Sequence, residues 1–225
     1  MKLGVLFSGG KDSTFATELA DSGQNEVVCL MSMKSENKDS YMFHTPNIDL
    51  TELQAKSLNL PLISRKTEGK KEAELIDLRR LIQKAQKEYG IEGVVTGAVE
   101  SVYQASRIQK ICSDLKLWCF NPLWQLDQEE LLNQLIKRGY EIIISGIAAY
   151  PLDAKWLGRK LTKAMIEELV ELRKKFGVNP AGEGGEFESL VLNGPNFKKR
   201  IQINKYKIQY KNHAGVFSVE DAELK

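Results

Sequence analysis

Residues 3–13 read LGVLFSGGKDS. The apolar run 3–7 is a short strand signal. Two glycines interrupt it, and a helical pattern then runs over about 12–22 and closes at Gly23. A strand that breaks on glycines and opens a helix is the first step of a strand–helix–strand unit. The same residues suit a phosphate cradle. Polyphosphate needs backbone N–H groups close to its oxygens, and paired glycines permit that approach. The helix N-terminus adds free N–H groups and partial positive charge. Ser8 and Ser13 offer hydroxyls beside Gly9 and Gly10, Lys11 offers charge, and Asp12 offers a carboxylate able to hold Mg²⁺ or cap the helix. The spacing is not G-x-x-x-x-G-K-[ST], because Gly10 stands where that motif requires lysine.

Working outward, strand and helix signals alternate. Residues 27–33 form the next apolar run and 60–64 a weaker third. Leu75, Leu78, Ile82, Ala85 and Tyr89 then recur at helical spacing up to Gly90, which ends the helix. A strand over 93–96, a helix over 101–115 and a strand over 117–120 follow. Asp127 and Glu130 have capping-box spacing ahead of Leu131, Leu132, Leu135 and Ile136, and residues 141–147 are a sixth strand. Strands separated by helices imply right-handed crossovers and a parallel sheet. The expected fold is therefore α/β with a doubly wound parallel sheet; the order 3-2-1-4-5 is the one that the resemblance of SGGKDS to a PP-loop implies. The polar stretch 34–57, with Pro46, reads as a long loop excursion, a place where function concentrates.

After 147 the rhythm changes. One helix is expected over 159–176, with Leu161, Met165, Leu169, Leu172 and Phe176 on a stripe. A glycine-rich acidic loop, then strands and turns, complete the chain. This divides it into a nucleotide-binding domain, 1–145, and a smaller C-terminal α+β domain, 146–225.

In this topology the loops after strands 1 and 4 flank the switch point where ligands bind. Gly97 is then expected at an α-phosphate and ribose, with Gln104 and Arg107 one helical turn apart behind it. A plain tight turn at Gly97 and a surface ion pair at Arg107 remain the competing readings. Glu183, Glu186 and Glu188 place three carboxylates within six residues, able to act as a base, bind an ammonium ion or hold a metal. A solvated acidic turn is the alternative. Their loop is expected to lie apart from the nucleotide motif.

The 225 residues are 42% hydrophobic and 28% charged, a globular composition sufficient for one or two domains. No apolar run approaches membrane-spanning length, so no membrane partner and a cytoplasmic location are expected. Three cysteines without a Cys-x-x-Cys pair, and two histidines, argue against a disulfide framework or structural zinc. Cys29, Cys112 and Cys119 read as small buried hydrophobes. Residues 198–212 hold six basic residues and no acidic one, within a net charge of +2. Interleaved with Tyr206 and Tyr210, that run suits either a solvated strand or contacts to phosphates.

SGGKDS at 8–13 resembles the PP-loop of the ATP pyrophosphatase superfamily. Together with MFHTPN at 42–47, PLW at 122–124 and EGGEFES at 183–189, in that order, the chain resembles the diphthine–ammonia ligase (diphthamide synthetase) family along essentially its whole length. The resemblance implies adenylation of diphthine on elongation factor 2, then attack by ammonia, with ATP as co-substrate, Mg²⁺ as cofactor and AMP and pyrophosphate as products. It implies adenine near the main chain of Met31, Ser32 and Met33; His44 is expected either on a loop that closes over the nucleotide or as a structural loop histidine. Glu183, Glu186 and Glu188 are the candidates for ammonium or for the trimethylammonium group. No cysteine has an evident nucleophile arrangement with histidine, and the motif begins almost at the chain's start, so ammonia rather than glutamine is the expected nitrogen donor. Two other functions fit the same loop: a nitrogen-transferring tRNA-modifying enzyme and a non-catalytic ATP-binding module.

Overall fold

The computed structural model describes residues 1–21, 23–37, 46–70 and 73–225. Its first half holds β1 (Lys2–Leu6), α1 (Lys11–Ala20), β2 (Glu26–Ser35), α2 (Thr51–Leu58), β3 (Leu62–Thr67), α3 (Ala73–Tyr89), β4 (Gly93–Val95), α4 (Val102–Asp114) and β5 (Trp118–Phe120). The five strands are parallel, in the order β3-β2-β1-β4-β5. The expected doubly wound sheet and its order are thus observed. Gly90 takes the left-handed conformation expected after α3 (φ +62°).

The second half holds α5 (Gln128–Lys137), β6 (Glu141–Ile147), α6 (Lys163–Phe176), β7 (Phe187–Asn193), β8 (Ile201–Lys211) and β9 (Ala214–Leu224). These strands form an antiparallel sheet of order β7-β6-β9-β8. β6 therefore belongs to the second sheet, and the chain leaves the first sheet ahead of the expected 145–146 passage. Asp127 caps α5 by accepting from the Glu129 and Glu130 amides, both at 3.0 Å, and Thr162 caps α6 at Met165. Glu130 does not complete the box in the expected way, since its carboxylate accepts from the Gln134 side chain.

The stretch 34–57 is not one long loop. β2 continues to Ser35, and a 3-10 turn (Ile48–Leu50) leads into α2. Hydrophobic periodicity missed α2 because its buried face is mostly polar: Thr51, Gln54, Ala55 and Ser57 point inward.

One apolar core runs across both sheets. Leu3, Val5 and Phe15 from the first half join Leu131, Leu132, Leu135, Ile142 and Ile144 from the second. Each fully buried aliphatic side chain contributes roughly 1.5–3 kcal/mol on leaving water, so the two halves are held together by core rather than by surface contacts. Glu18 on α1 adds a polar staple, accepting from the Tyr140 hydroxyl at 2.5 Å and from Arg138 at 2.6 Å. A second core packs α3 and α4 against the other face of β2 and β4.

Candidate active site: a phosphate cradle closed by the second sheet

The loop after β1 has the architecture an anion requires. Gly9 sits at φ +80°, where only glycine is unstrained. Gly10 is the N-cap of α1 and offers no side chain to its N-terminus, which leaves first-turn amides after Lys11 to a ligand. Ser8 and Ser13 brace the turn, with the Ser8 amide donating to Ser13 Oγ at 3.2 Å and the hydroxyls 3.2 Å apart. Asp12 does not cap the helix. One of its oxygens pairs with Lys11 Nζ at 2.7 Å, while Oδ1 is buried without a hydrogen-bond partner.

The acidic loop is not apart from this cradle. The Lys11 amide donates to Ser189 Oγ at 3.1 Å, and the Val191 amide donates to the Gly9 carbonyl at 3.1 Å. β7 therefore runs beside the phosphate loop and brings Glu188 to Lys11, while the loop ahead of β7 brings Glu183 there. Burial pushes both carboxyls up to about 7. For Glu183 the Asp12 charge raises it further, while Lys11 and the Glu100 amide oppose; for Glu188 Lys11 opposes, and Asp12 and Glu183 add to the rise. Two carboxyls poised near neutrality beside a buried lysine are suited to proton transfer and to binding a small cation. Glu186 does different work. Its oxygens accept from the Asn179 and Gly184 amides, both at 2.9 Å, and so shape the loop.

Gly97 lies against the start of α1. A β-carbon there would stand 2.7 Å from Asp12 C and Ser13 N, backbone atoms that cannot yield. Close approach is thus the reason for this glycine. Gly97→Ala is expected to weaken ATP binding at least about tenfold and to cost roughly 1–3 kcal/mol of stability by overpacking. Calorimetric titration with ATP and thermal unfolding check it. Beyond Gly97, the Glu100 amide donates to Glu183 at 3.4 Å. The PLW turn clips this loop through a bond from the Gln125 amide to the Val99 carbonyl. Gln104 donates its amide to the N-cap Ser101. The Arg107 guanidinium lies 3.5 Å over the Tyr103 ring and lines a groove of about 550 Å³ between α3 and α4, with Arg79, Lys110 and Asp114.

Met31 and Met33 are buried, and Ser32 donates its hydroxyl to the Phe7 carbonyl. β2 outruns β1, whose register ends at Leu6 opposite Met31, so beyond that point no strand lies beside the β1-facing edge of β2 among the described residues. This is the main-chain edge expected to meet adenine. His44 lies outside the described residues; Pro46, just after it, reaches Gly146 and so stands near Glu188.

Burial pushes the Cys29 thiol up to about 12. Cys112 and Cys119 hydrogen-bond to each other, which raises Cys112 and lowers Cys119. Cys29 and Cys112 are buried as expected, and Cys119 is half-buried. In the basic run, Lys205 pairs with Glu220, Arg200 pairs with Glu141, and Tyr206 stacks on Phe217. β9 thus returns negative charge to a strand that looked wholly basic.

Sequence reading missed Gln54 and Ser189 as site residues. Ser189 ends the acidic motif, so its position was a usable signal. Gln54 stands within a short helix whose inward face carries no apolar pattern.

The family models for the diphthamide synthase N-terminal domain and C-terminal domain match residues 1–118 and 127–224. A protein of Schizosaccharomyces pombe named diphthine–ammonia ligase is 39% identical over 219 residues, covering 90% of this chain and 36% of its own length. The Bos taurus protein of that name is 34% identical over 223 residues, covering 91% of this chain and 83% of its own. The human one is 34% identical over 226 residues, with the same coverages. The chain thus spans about a third of the yeast relative and most of the mammalian ones. With family models matching both halves, the chain belongs to the diphthamide synthase family.

Proposed function

We propose that this chain is an ATP-dependent, AMP-forming carbon–nitrogen ligase that amidates diphthine on elongation factor 2 with ammonium. The observation that carries the proposal is the meeting of the two motifs. The phosphate loop and the acidic loop form one site, joined through Ser189 and Val191. An enzyme that adenylates a carboxylate and then delivers ammonia needs both in one place.

A carboxylate is a poor acyl donor because its oxygen leaves badly. In the proposed reaction a diphthine carboxylate oxygen attacks the α-phosphorus of ATP, and pyrophosphate leaves from the loop at residues 8–13. The work at this step is positioning and charge neutralisation, the part of Lys11 and the α1 N-terminus. Ammonia then attacks the acyl carbon and AMP leaves, giving the amide. Ammonium at neutral pH must lose a proton, and Glu183 or Glu188 is the acceptor. Either could also face the trimethylammonium group.

Mg²⁺ fits this site as a companion of the phosphates. Among the described residues no group of three or more His, Cys, Asp or Glu side chains could hold a metal, and magnesium is commonly held by one or two carboxylates plus substrate phosphates. The unpartnered Oδ1 of Asp12 is the oxygen that would hold it. When bound it would offset charge on the pyrophosphate leaving group.

Ammonia is the proposed nitrogen donor rather than glutamine. A glutaminase needs an accessible thiolate; Cys29 and Cys112 are buried thiols with raised pKa, and the half-buried Cys119, whose pKa is lowered, is hydrogen-bonded to Cys112. No helix among the described residues is long and apolar enough to cross a membrane.

The test is incubation of the chain with α-labelled ATP, diphthine-bearing elongation factor 2 and either ammonium or glutamine. AMP, pyrophosphate and amide are expected with ammonium. ADP and phosphate would overturn the adenylation chemistry. Comparable amide from glutamine, lost on thiol alkylation, would overturn the nitrogen donor.

A further inference from the structure

An anion cradle has a geometric cost. If the amides of a loop point toward a phosphate, its carbonyls point away, into protein, and each needs a donor there. The Gly9 carbonyl is the one at issue. It accepts from the Val191 amide at 3.1 Å and from Gln54 Nε2 at 2.9 Å. The second hydrogen of the same Gln54 nitrogen goes to the Val191 carbonyl at 2.8 Å. A single side-chain amide is thus inserted between the phosphate loop and β7 and bonds to both.

Three features make this more than core filling. Gln54 is completely buried, on the polar inner face of α2. Its orientation is dictated, because two carbonyl oxygens at these distances require the nitrogen, not the oxygen, between them. Its Oε1 lies against Gly9, 2.2 Å from where a β-carbon would stand, and has no hydrogen-bond partner. A buried amide that leaves its oxygen unsatisfied costs free energy, and an apolar side chain of the same size would avoid that. What the amide provides is the pair of hydrogens.

The far end of α2 is fixed as well. The Ser57 carbonyl accepts from the Lys198 amide at 2.8 Å, and Ser57 Oγ bonds to Lys199. The helix is therefore anchored on the chain leading into β8 while Gln54 reaches the cradle.

We infer that Gln54 is a positioning residue: it holds the Gly9 carbonyl out of the phosphate cradle and locks the cradle to β7, the strand that carries Glu188 and Ser189. It touches no substrate atom. It sets the distance between the group that binds phosphate and the groups that handle ammonia. The inference rests on the ATP-dependent reading of the site.

The test uses the full chain and reads ATP binding directly, by calorimetry, alongside the steady-state KM for ATP. Gln54→Met keeps the volume and removes both hydrogens. Gln54→Glu presents a carboxylate to two carbonyl oxygens at high pH, while its protonated form can donate to one of them. We expect Gln54→Met to weaken ATP binding at least tenfold while circular dichroism stays native. We expect Gln54→Glu to bind ATP at least tenfold more weakly than the parent at pH 8, with the gap between the two narrowing as pH falls to 6. If the glutamate variant does not fold at pH 8, the methionine variant decides alone. Parent-like ATP affinity in both variants, with only a lowered melting temperature, would reduce Gln54 to a structural glutamine. Failure of the unmodified chain to bind ATP would instead overturn the ATP-dependent reading itself.

Discussion

Replacing Lys11 by alanine is expected to lower amide formation at least about 100-fold, the scale of losing one charge-stabilising group from a preorganised site. Lys11 is 4% exposed, and its ammonium sits 2.7 Å from Asp12. Around it stand Glu183 and Glu188, so removing it leaves carboxylates facing the incoming polyphosphate. The loss should appear in both KM for ATP and kcat. A second effect is linked to the first. The Lys11 charge is what holds the Glu183 and Glu188 carboxyls down against burial. Without it both move further up, and residual activity should reach its plateau at higher pH than in the parent. A pH–rate profile of the purified variant checks this; near-parental activity would remove the loop at 8–13 from the mechanism.

Glu188→Gln is expected to separate stability from function. In the folded chain its carboxyl titrates near 7, above the ordinary value of 4.5, because burial disfavours the charge. A group raised on folding stabilises fully below its unfolded pKa and loses that contribution as pH climbs through its folded pKa. The parent should therefore lose stability between about pH 4.5 and 7 from this residue, by about 3 kcal/mol. Glutamine is neutral throughout. The variant should melt higher than the parent at pH 8, by roughly 6–12 °C for a chain of this size, with the advantage shrinking at pH 5. It cannot accept a proton, so amide formation should fall about 100-fold or more, as for loss of a general base. Thermal unfolding at the two pH values, with the amidation assay at pH 8, decides it. An active variant would leave the proton to Glu183, and an advantage over the parent no larger at pH 8 than at pH 5 would mean the carboxyl is not desolvated.

The glycine–lysine loop and its flanking strand and helix were legible because short-range chemistry specifies them. Apolar periodicity gave the five parallel strands and most of the helices. It failed where burial and apolarity part company. α2 turns Thr51, Gln54 and Ser57 inward, so a pattern search sees only a polar stretch. It also could not assign β6, because an isoleucine-rich strand looks alike in a parallel or an antiparallel sheet; β6 pairs with β7 and β9.

The sequence by itself therefore determined the glycine–lysine loop, the strand and helix that flank it and which carboxylates were worth watching, since each rests on contiguous residues and local geometry. Only the tertiary structure decided that the acidic loop closes over the cradle, through bonds spanning 178 residues between Lys11 and Ser189 and 137 between Gln54 and Val191. It also separated Glu186, spent on the loop's own amides, from Glu183 and Glu188, which burial beside Lys11 brings to neutral titration. The physical reason is that desolvation and charge coupling depend on what surrounds a carboxyl in space, and neighbours along the chain carry almost none of that information.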